Sequence, residues 1–165
     1  MSIKRRSSFE SGHQRKYLVV IDDSEECDRA VYWAAKRAAR TKSSVVMLRV
    51  IETEGRNQQW LGVADIMKQE ANEEANAQLE KYSGRANGIA GITPERIVRE
   101  GVTSEVIAQL IDEDADIGIL VLGAGTQTEG PGPLVSNIGK IAGTFPIPLA
   151  IVPGHQSDEE LDAMS

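Results

Sequence analysis

The sequence predicts an α/β fold: an open, doubly wound sheet of five parallel strands, Rossmann-like, with helices on both faces. Two observations lead to this prediction. Short continuous apolar runs alternate with segments whose apolar residues recur every three or four positions, which are the patterns of buried strands and amphipathic helices. The order is strand–helix four times and then a final strand, and such alternation gives a parallel sheet covered by helices. Right-handed crossovers restrict the topology to a doubly wound arrangement.

The strands are predicted from five apolar runs. These runs lie at 17–21, 44–51, 95–100, 117–122 and 149–152. The polar flanks of the third run indicate an edge strand, and the fourth, which is the most apolar, is expected near the centre of the sheet. The last run is expected at an edge, with prolines around it.

The helices are predicted from caps and breakers. Ser24 is expected to cap the first helix. The second is an amphipathic helix from Leu61 to about Tyr82. The glycines expected to break it are Gly84, Gly88 and Gly91. Thr103 or Ser104 is expected to cap the third helix, and the last is predicted over 136–143.

The bulk composition is that of one soluble domain. The chain has 165 residues, of which 41% are apolar and 26% charged, enough for one sizeable core. A net charge of −7 disfavours phosphate backbones and anionic lipid, so neither nucleic acid nor membrane is an expected partner. The single cysteine, Cys27, excludes an internal disulfide and, with no secretory signal visible, predicts a cytoplasmic protein.

Charge also divides the chain into three segments. Residues 1–15 are basic and lack apolar periodicity, which predicts a flexible arm. Residues 16–154 carry the strand–helix pattern and form the predicted domain. Residues 155–165 form an acidic tail, and we expect both terminal segments to be solvated.

Doubly wound sheets bind ligands at the carboxyl ends of their strands, where the strand order reverses. The segments expected there begin at Asp22, Val50 and Gly123, which follow or end the first, second and fourth strands. A candidate site is therefore predicted from these three places.

Five motifs stand at the strand ends and turns. They are Ile21-Asp22-Asp23-Ser24-Glu25, Arg49-Val50-Ile51, Glu100-Gly101-Val102, the run from Ala115 to Gly123 and the run from Phe145 to Pro153. In this order and spacing they resemble the universal stress protein family, from about Lys16 to Pro153. The resemblance implies an adenine nucleotide alpha hydrolase-like sheet and a homodimer that pairs through the strand Leu149–Val152.

Some members of that family bind ATP or AMP and others do not. The loop of the binders reads G-x-x-G, nine residues, then G-S or G-T. Glycines let backbone N–H groups approach phosphates, and the dipole of the following helix favours anions. Here Gly123 matches the first glycine, Thr126 stands at the second with Gly125 beside it, Val135 stands at the third, and Ser136 holds the hydroxyl position.

The resemblance also implies that Asp22 contacts the nucleoside and Val50 lines the adenine pocket, with ATP or AMP and Mg as ligand. The residues alone leave alternatives open: Asp22 as a helix cap, Val50 as core and the loop as a rigid turn. Glu129 and the lack of Lys or Arg from Gly123 to Gly139 argue against a tight triphosphate site. The glycines and Ser136 argue for one.

Other chemistries find little support in the sequence. His13 and His155 both lie in terminal segments, so no Ser–His pair or metal-ligand set is visible. No P-loop pattern occurs, and the acceptor Asp and the Lys of a phospho-receiver are missing. Trp60 lies in a predicted polar loop, where it either anchors a partner or packs on the sheet edge.

The sequence therefore predicts a non-catalytic, dimeric stress-response protein that acts through protein contacts. The alternative is a switch of the same family that binds ATP or AMP. Slow ATP hydrolysis is a third hypothesis, for which no general base is visible.

Overall fold

A computed structural model of the chain describes residues 4–52 and 61–165, apart from the side chains of 61–64. Trp60 and the predicted loop before the second helix fall outside these residues. The strands of the described part are β1 (Lys16–Val20), β2 (Ser44–Glu52), β3 (Glu95–Gly101), β4 (Ile117–Ala124) and β5 (Leu149–Pro153). The α-helices are α1 (Cys27–Arg40), α2 (Leu61–Ala90), α3 (Thr103–Glu113), α4 (Pro133–Lys140) and α5 (Asp158–Met164).

The five strands form one sheet in the order β3-β2-β1-β4-β5, and every neighbouring pair is parallel. The predicted α/β fold is confirmed. Edge positions for β3 and β5 are also as predicted, whereas the centre of the sheet is β1, with β4 beside it. The strand order reverses between β1 and β4, so the crevice for a ligand is expected above these two strands.

Two hydrophobic cores cover the two faces of the sheet. The central strand serves both because successive side chains of a strand point to opposite faces. Tyr17 and Val19 of β1 belong to the core under α1, α2 and α5, while Leu18 and Val20 belong to the core under α3 and α4. Burying one such apolar side chain contributes about 1.5–3 kcal/mol.

Helix α2 is longer than predicted. Gly84 and Gly88 do not break it, although each glycine inside a helix costs about 1 kcal/mol. Their neighbours compensate, since Ala86 is fully buried and Ile89 packs against the same core. The helix ends before Gly91, whose φ of 69° is the left-handed conformation typical of a helix end.

Helices α1 and α4 begin at other residues than predicted. Ser24 does not cap α1, which starts at Cys27 behind an N-cap Glu26 that makes no side-chain cap bond. The Ser24 hydroxyl donates to Asp22 instead. Helix α4 starts at Pro133, three residues before the predicted start, because proline suits a first turn where no N–H partner is needed.

The start of α3 also differs from the prediction. Its N-cap is Val102, and neither Thr103 nor Ser104 makes a capping bond. The Thr103 hydroxyl donates to Glu52 Oε1 at 2.5 Å, at the end of β2. The residue predicted as a cap therefore ties the helix to the neighbouring strand.

The N-terminal segment, expected to be a flexible arm, contacts the domain from residue 6 onward. Arg6 Nη1 donates to the backbone at the end of α3 and the start of β4. These carbonyls are those of Ile111, Asp114 and Ile117, at 2.8, 3.3 and 3.2 Å. Ser7 and His13 both hydrogen-bond Asp116, and these bonds, that from Ser7 first, hold the pKa of Asp116 below its usual range.

The C-terminal segment, expected to be a solvated tail, ends in helix α5. Ser157 and Glu160 form a capping box at its start. Leu161 is 1% exposed and belongs to the core beside α1. The ion pairs between the two helices are Arg29–Asp158, Lys36–Asp162 and Arg40–Asp162. The division of the chain at residues 16 and 154 stays a prediction.

The longest described helix, α2, has 30 residues, and its exposed residues are mostly polar, with Ile66 and Met67 as apolar exceptions. Glu73, Glu80 and Lys81 are among its exposed residues. Across the described ranges, no helix combines the length and the apolarity that a bilayer crossing requires.

Candidate functional site

A cleft of about 600 Å³ lies at the carboxyl ends of β1 and β2, beside the start of α4. Its apolar lining includes Val20, Val50 and Leu134. Val50 is 5% exposed and also belongs to the core under α3. The two alternatives for this residue, pocket lining and core packing, are therefore both compatible with its position.

A second, smaller depression of about 240 Å³ lies on the β4 side of the cleft. It is lined by the ends of β1 and β4 and by the loop before α4, including Gly123, Gly132 and Leu134. Asp22 lines both spaces and so stands at their junction. The structure thus brings Asp22 close to Val50 on one side and Gly123 on the other.

Asp22 stabilises the turn that follows β1. Its Oδ1 accepts hydrogen bonds from the Ser24 backbone N–H at 3.0 Å and from the Ser24 hydroxyl at 2.5 Å. This is an Asx-type turn, in which a short carboxylate organises the backbone two residues on. Within the described residues, Oδ2 accepts no hydrogen bond, so one oxygen of the carboxylate is left at the junction.

Arg49, the one cation lining the described part of the cleft, has partners. Its Nη2 is 3.3 Å from Asp23 Oδ2, and its Nη1 donates to the Ile21 carbonyl at 3.5 Å. Gln78 donates to the same turn, to the Asp22 carbonyl at 2.7 Å and to Asp23 at 3.1 Å. Arg49 Nε and Gln78 Oε1 are buried without a partner among the described residues. The positive charge of the Arg49 guanidinium is thus partly neutralised by Asp23.

The loop from β4 to α4 uses several of its own backbone donors. The Gly125 N–H donates to the Pro131 carbonyl at 2.9 Å, and the Ser136 N–H donates to the Gly132 carbonyl at 3.0 Å. The Gly125 amide is one that a phosphate loop could offer to its ligand, whereas the Ser136 bond is the first intrahelical bond of α4. The Gly125 bond favours the alternative of a rigid turn.

Thr126 and Ser136, the two hydroxyl residues predicted to contact a nucleotide, lie apart from the junction. Thr126 is exposed and lines a shallow depression with Glu25 and Gly154. Ser136 is exposed on α4, and neither the cleft nor the smaller depression includes it. Val135, at the third glycine position, is 8% exposed and packs in the core under α3.

One residue of this site was not predicted from the sequence. The side chain of Glu26 lies among three loop glycines, which we call the glycine cradle: Gly123, Gly125 and Gly132. A β-carbon on Gly125 would lie 3.1 Å from Glu26 Oε1, and one on Gly132 would lie 3.7 Å from it. The spacing of the glycines was the available signal, since side chains missing from a loop leave room for a neighbour.

Cys27, the lone thiol, is 2% exposed at the start of α1. Burial raises its pKa to about 12, so the thiol is protonated at neutral pH and unsuited to nucleophilic chemistry. In the described part of the chain, no group of three or more acids, histidines or cysteines is placed to hold a metal ion.

A sequence model of the Universal stress protein family matches residues 14–153. No curated protein sequence gives a significant match. Among solved structures, the universal stress protein UspA from Lactobacillus plantarum is similar with a TM-score of 0.69 and 17% identity, over 84% of this chain and 97% of that one.

Two further similar structures are complexes with nucleotides. One is the universal stress protein from Archaeoglobus fulgidus in complex with dAMP, with a TM-score of 0.59, 18% identity and coverage of 84% of this chain and 97% of that one. The other is a universal stress protein family protein from Arabidopsis thaliana with AMP bound. Its TM-score is 0.58 and its identity 19%, with coverage of 88% of this chain and 94% of that one. At these identities the structures support the fold, and the family follows from the sequence model. The chain belongs to the universal stress protein family.

Proposed function

We propose that this protein is a non-catalytic stress-response protein of the cytoplasm that works as a homodimer through contacts with other proteins. The observation that carries the proposal is the poor supply of phosphate-binding groups in the loop before α4. Its Gly125 amide is bonded within the loop, and no Lys or Arg occurs from Gly123 to Gly139. A triphosphate that leaves water needs free hydrogen-bond donors or cations in place of its hydration shell. Arg49, the cation that lines the described part of the cleft, is already paired with Asp23.

The homodimer is supported by the position of β5. This strand forms one edge of the sheet, and Ile151 at its centre is 45% exposed. An exposed edge strand offers unpaired backbone groups to a second copy, and a twofold axis would bring the same strand of both copies together. Leu149–Val152 is therefore the segment we propose for pairing.

Light scattering on the purified chain tests the dimer. Ile151→Lys places a charge on the proposed interface and should halve the measured mass. Ile66→Lys is the matched control, because Ile66 is 63% exposed on α2, far along the chain from β5. A wild-type monomer at high concentration, or a dimer that survives Ile151→Lys, would refute this interface.

A second candidate function is a switch operated by ATP or AMP, with Mg. The specific observation in its favour is the 600 Å³ cleft, whose lining includes Asp22 and Val50. Its size is within the roughly 300–1,000 Å³ typical of ligand pockets. Relatives with this fold are described with dAMP and AMP bound.

Calorimetric titration with Mg-ATP, and separately with AMP, decides between the two candidates. The first proposal expects no heat at millimolar nucleotide. Micromolar binding that is lost in Asp22→Ala and Ser136→Ala would instead establish the switch. Thr128→Ala, which removes another exposed hydroxyl from the same loop, is the control and should change nothing.

A further inference from the structure

The carboxylate of Glu26 occupies the space at which the loop before α4 has no side chains. It lies 3.1 Å and 3.7 Å from the positions that β-carbons of Gly125 and Gly132 would take. The Glu26 Cγ likewise lies 3.2 Å from the β-carbon position of Gly123. The glycine cradle therefore already holds an anionic group that belongs to the chain itself.

A carboxylate resembles a phosphate in the features that such a loop recognises. Both are compact anions with oxygen acceptors, and both are favoured near the positive end of a helix. A phosphate group entering the cradle would meet a like charge in the same small volume, and like charges disfavour each other strongly where water is partly excluded.

The acids around the cradle are poorly compensated. Asp22, Asp23 and Glu26 all line the smaller depression. Among the ion pairs of the described residues, only Asp23 has a cation partner here, which is Arg49 at 3.3 Å. A phosphate at this place would thus face two carboxylates without a cation of its own.

The adjoining cleft has a different chemistry. Val20, Val50 and Leu134 form an apolar part of its lining, beside charged residues that include Arg49, Glu52 and Glu74. The apolar part suits one face of a flat heterocycle. Asp22 stands at its junction with the cradle, and its Oδ2 is left without a hydrogen bond among the described residues. A carboxylate in this position accepts hydrogen bonds from the hydroxyls of a ribose.

We propose that Glu26 determines the specificity of this site: its carboxylate excludes phosphate from the glycine cradle, so the cleft selects an uncharged purine nucleoside over its 5′-phosphate. This inference rests on the part of the proposed function that leaves the loop without a phosphate ligand. It is independent of the homodimer.

The test is a calorimetric titration with adenosine and with AMP as probes. The wild-type chain should bind adenosine at least about tenfold more tightly than AMP, a difference of about 1.4 kcal/mol. Glu26→Gln keeps the size of the side chain but removes its charge, and it should raise the affinity for AMP by about tenfold while leaving that for adenosine unchanged. Glu25→Gln, the matched control, removes the same charge from the exposed neighbour and should alter neither affinity.

Each other result overturns the inference. Equal affinity of the wild-type chain for both probes would do so, as would the absence of adenosine binding or an AMP affinity unchanged in Glu26→Gln. Thermal unfolding of each variant shows that it is folded, and Glu26→Ala provides a second uncharged side chain with the same expected gain. Light scattering on the same samples separates the outcomes, because a monomer would refute the dimer and leave the ratio of the two affinities untouched.

Discussion

The α-carbon of Gly123 lies against the backbone carbonyl of Glu26. A β-carbon on Gly123 would overlap the carbonyl oxygen and lie 2.9 Å from the carbonyl carbon, closer than real side chains come. The end of β4 and the start of α1 therefore meet through their backbones. The resemblance had given this glycine a role in phosphate contact, and the packing supplies a structural reason for it as well.

Gly123→Ala should lower the free energy of unfolding by about 1–3 kcal/mol, the usual cost of excess volume in a packed site. The atoms it meets are backbone and cannot move aside as a flexible side chain would. Urea denaturation measures the effect. Gly139→Ala is the control, since nothing lies within 4 Å of its β-carbon position on α4, and alanine there should be neutral or stabilising. Equal stability of both variants would contradict the packing argument.

Two of the glycines inside α2 predict gains in stability. Gly84 and Gly88 are exposed, with nothing within 4 Å of their β-carbon positions. Alanine at either position should raise the free energy of unfolding by about 0.5–1 kcal/mol, because it restricts the unfolded chain and favours the helix. Gly91→Ala should do the opposite, since its φ is 69°. Thermal unfolding of the three variants checks both signs, and destabilisation by Gly84→Ala would show that α2 does not continue through it.

Arg6 should contribute more to the free energy of unfolding than Arg5. Arg6→Ala removes three hydrogen bonds to the carbonyls at the end of α3 and the start of β4 and should cost about 1–2 kcal/mol. Arg5→Ala removes the same charge from an exposed position and should stay within about 0.5 kcal/mol. Chemical denaturation of the two variants measures the difference. If the two variants have equal free energies of unfolding, the N-terminal segment does not stabilise the end of α3 in solution.

Asp28 links stability to pH. Its carboxylate accepts from Arg85 Nε at 2.7 Å and from Arg29 Nη2 at 2.6 Å. Burial acts to raise its pKa, but the hydrogen bonds from Arg85 and Arg29 outweigh burial and leave the pKa below its ordinary value. A lowered pKa means that the folded state holds the proton more weakly than the unfolded state. The stabilisation is therefore complete above the unfolded pKa of about 3.9 and is lost as the pH falls through the folded value.

Asp28→Asn should accordingly cost about 1–2 kcal/mol at pH 7, and its difference from the wild type should shrink below about pH 4. Denaturation at a series of pH values measures this. The control is Asp112→Asn, an exposed aspartate that should show a small difference at every pH. A difference for Asp28→Asn that is constant with pH would disprove the role of its charge.

The fold was predictable because its signal is local. The run Tyr17–Ile21 is apolar throughout, as a strand buried on both faces requires, and the alternation with helices then restricts the topology. Boundaries were less predictable because they depend on distant contacts. The low helix propensity of Gly88 disfavours a helix at this position. The packing of Ala86 and Ile89 against the core beside α1 nevertheless stabilises the helix beyond it.

The candidate site was predictable in its place and only partly in its residues. Asp22 and Val50 stand at strand ends, and the topology alone brings strand ends together. Ser136 was inferred from spacing in a loop, and a shift of three residues in the start of α4 leaves it exposed outside the cleft. Glu26 was missed because its position depends on how α1 meets β4, roughly a hundred residues later in the chain.

The place of β1 between β2 and β4 has a consequence for synthesis on the ribosome. Roughly 65 residues separate the end of β2 from the start of β4, and at about 5–20 residues per second they take roughly 3–13 s to make. During that interval one edge of β1 has no partner, and until β3 is made only two strands are available, which are not stable alone. The nascent chain is therefore most exposed to aggregation or chaperone capture in these seconds, and the danger ends when Ile117–Ala124 arrives to close the second edge of β1.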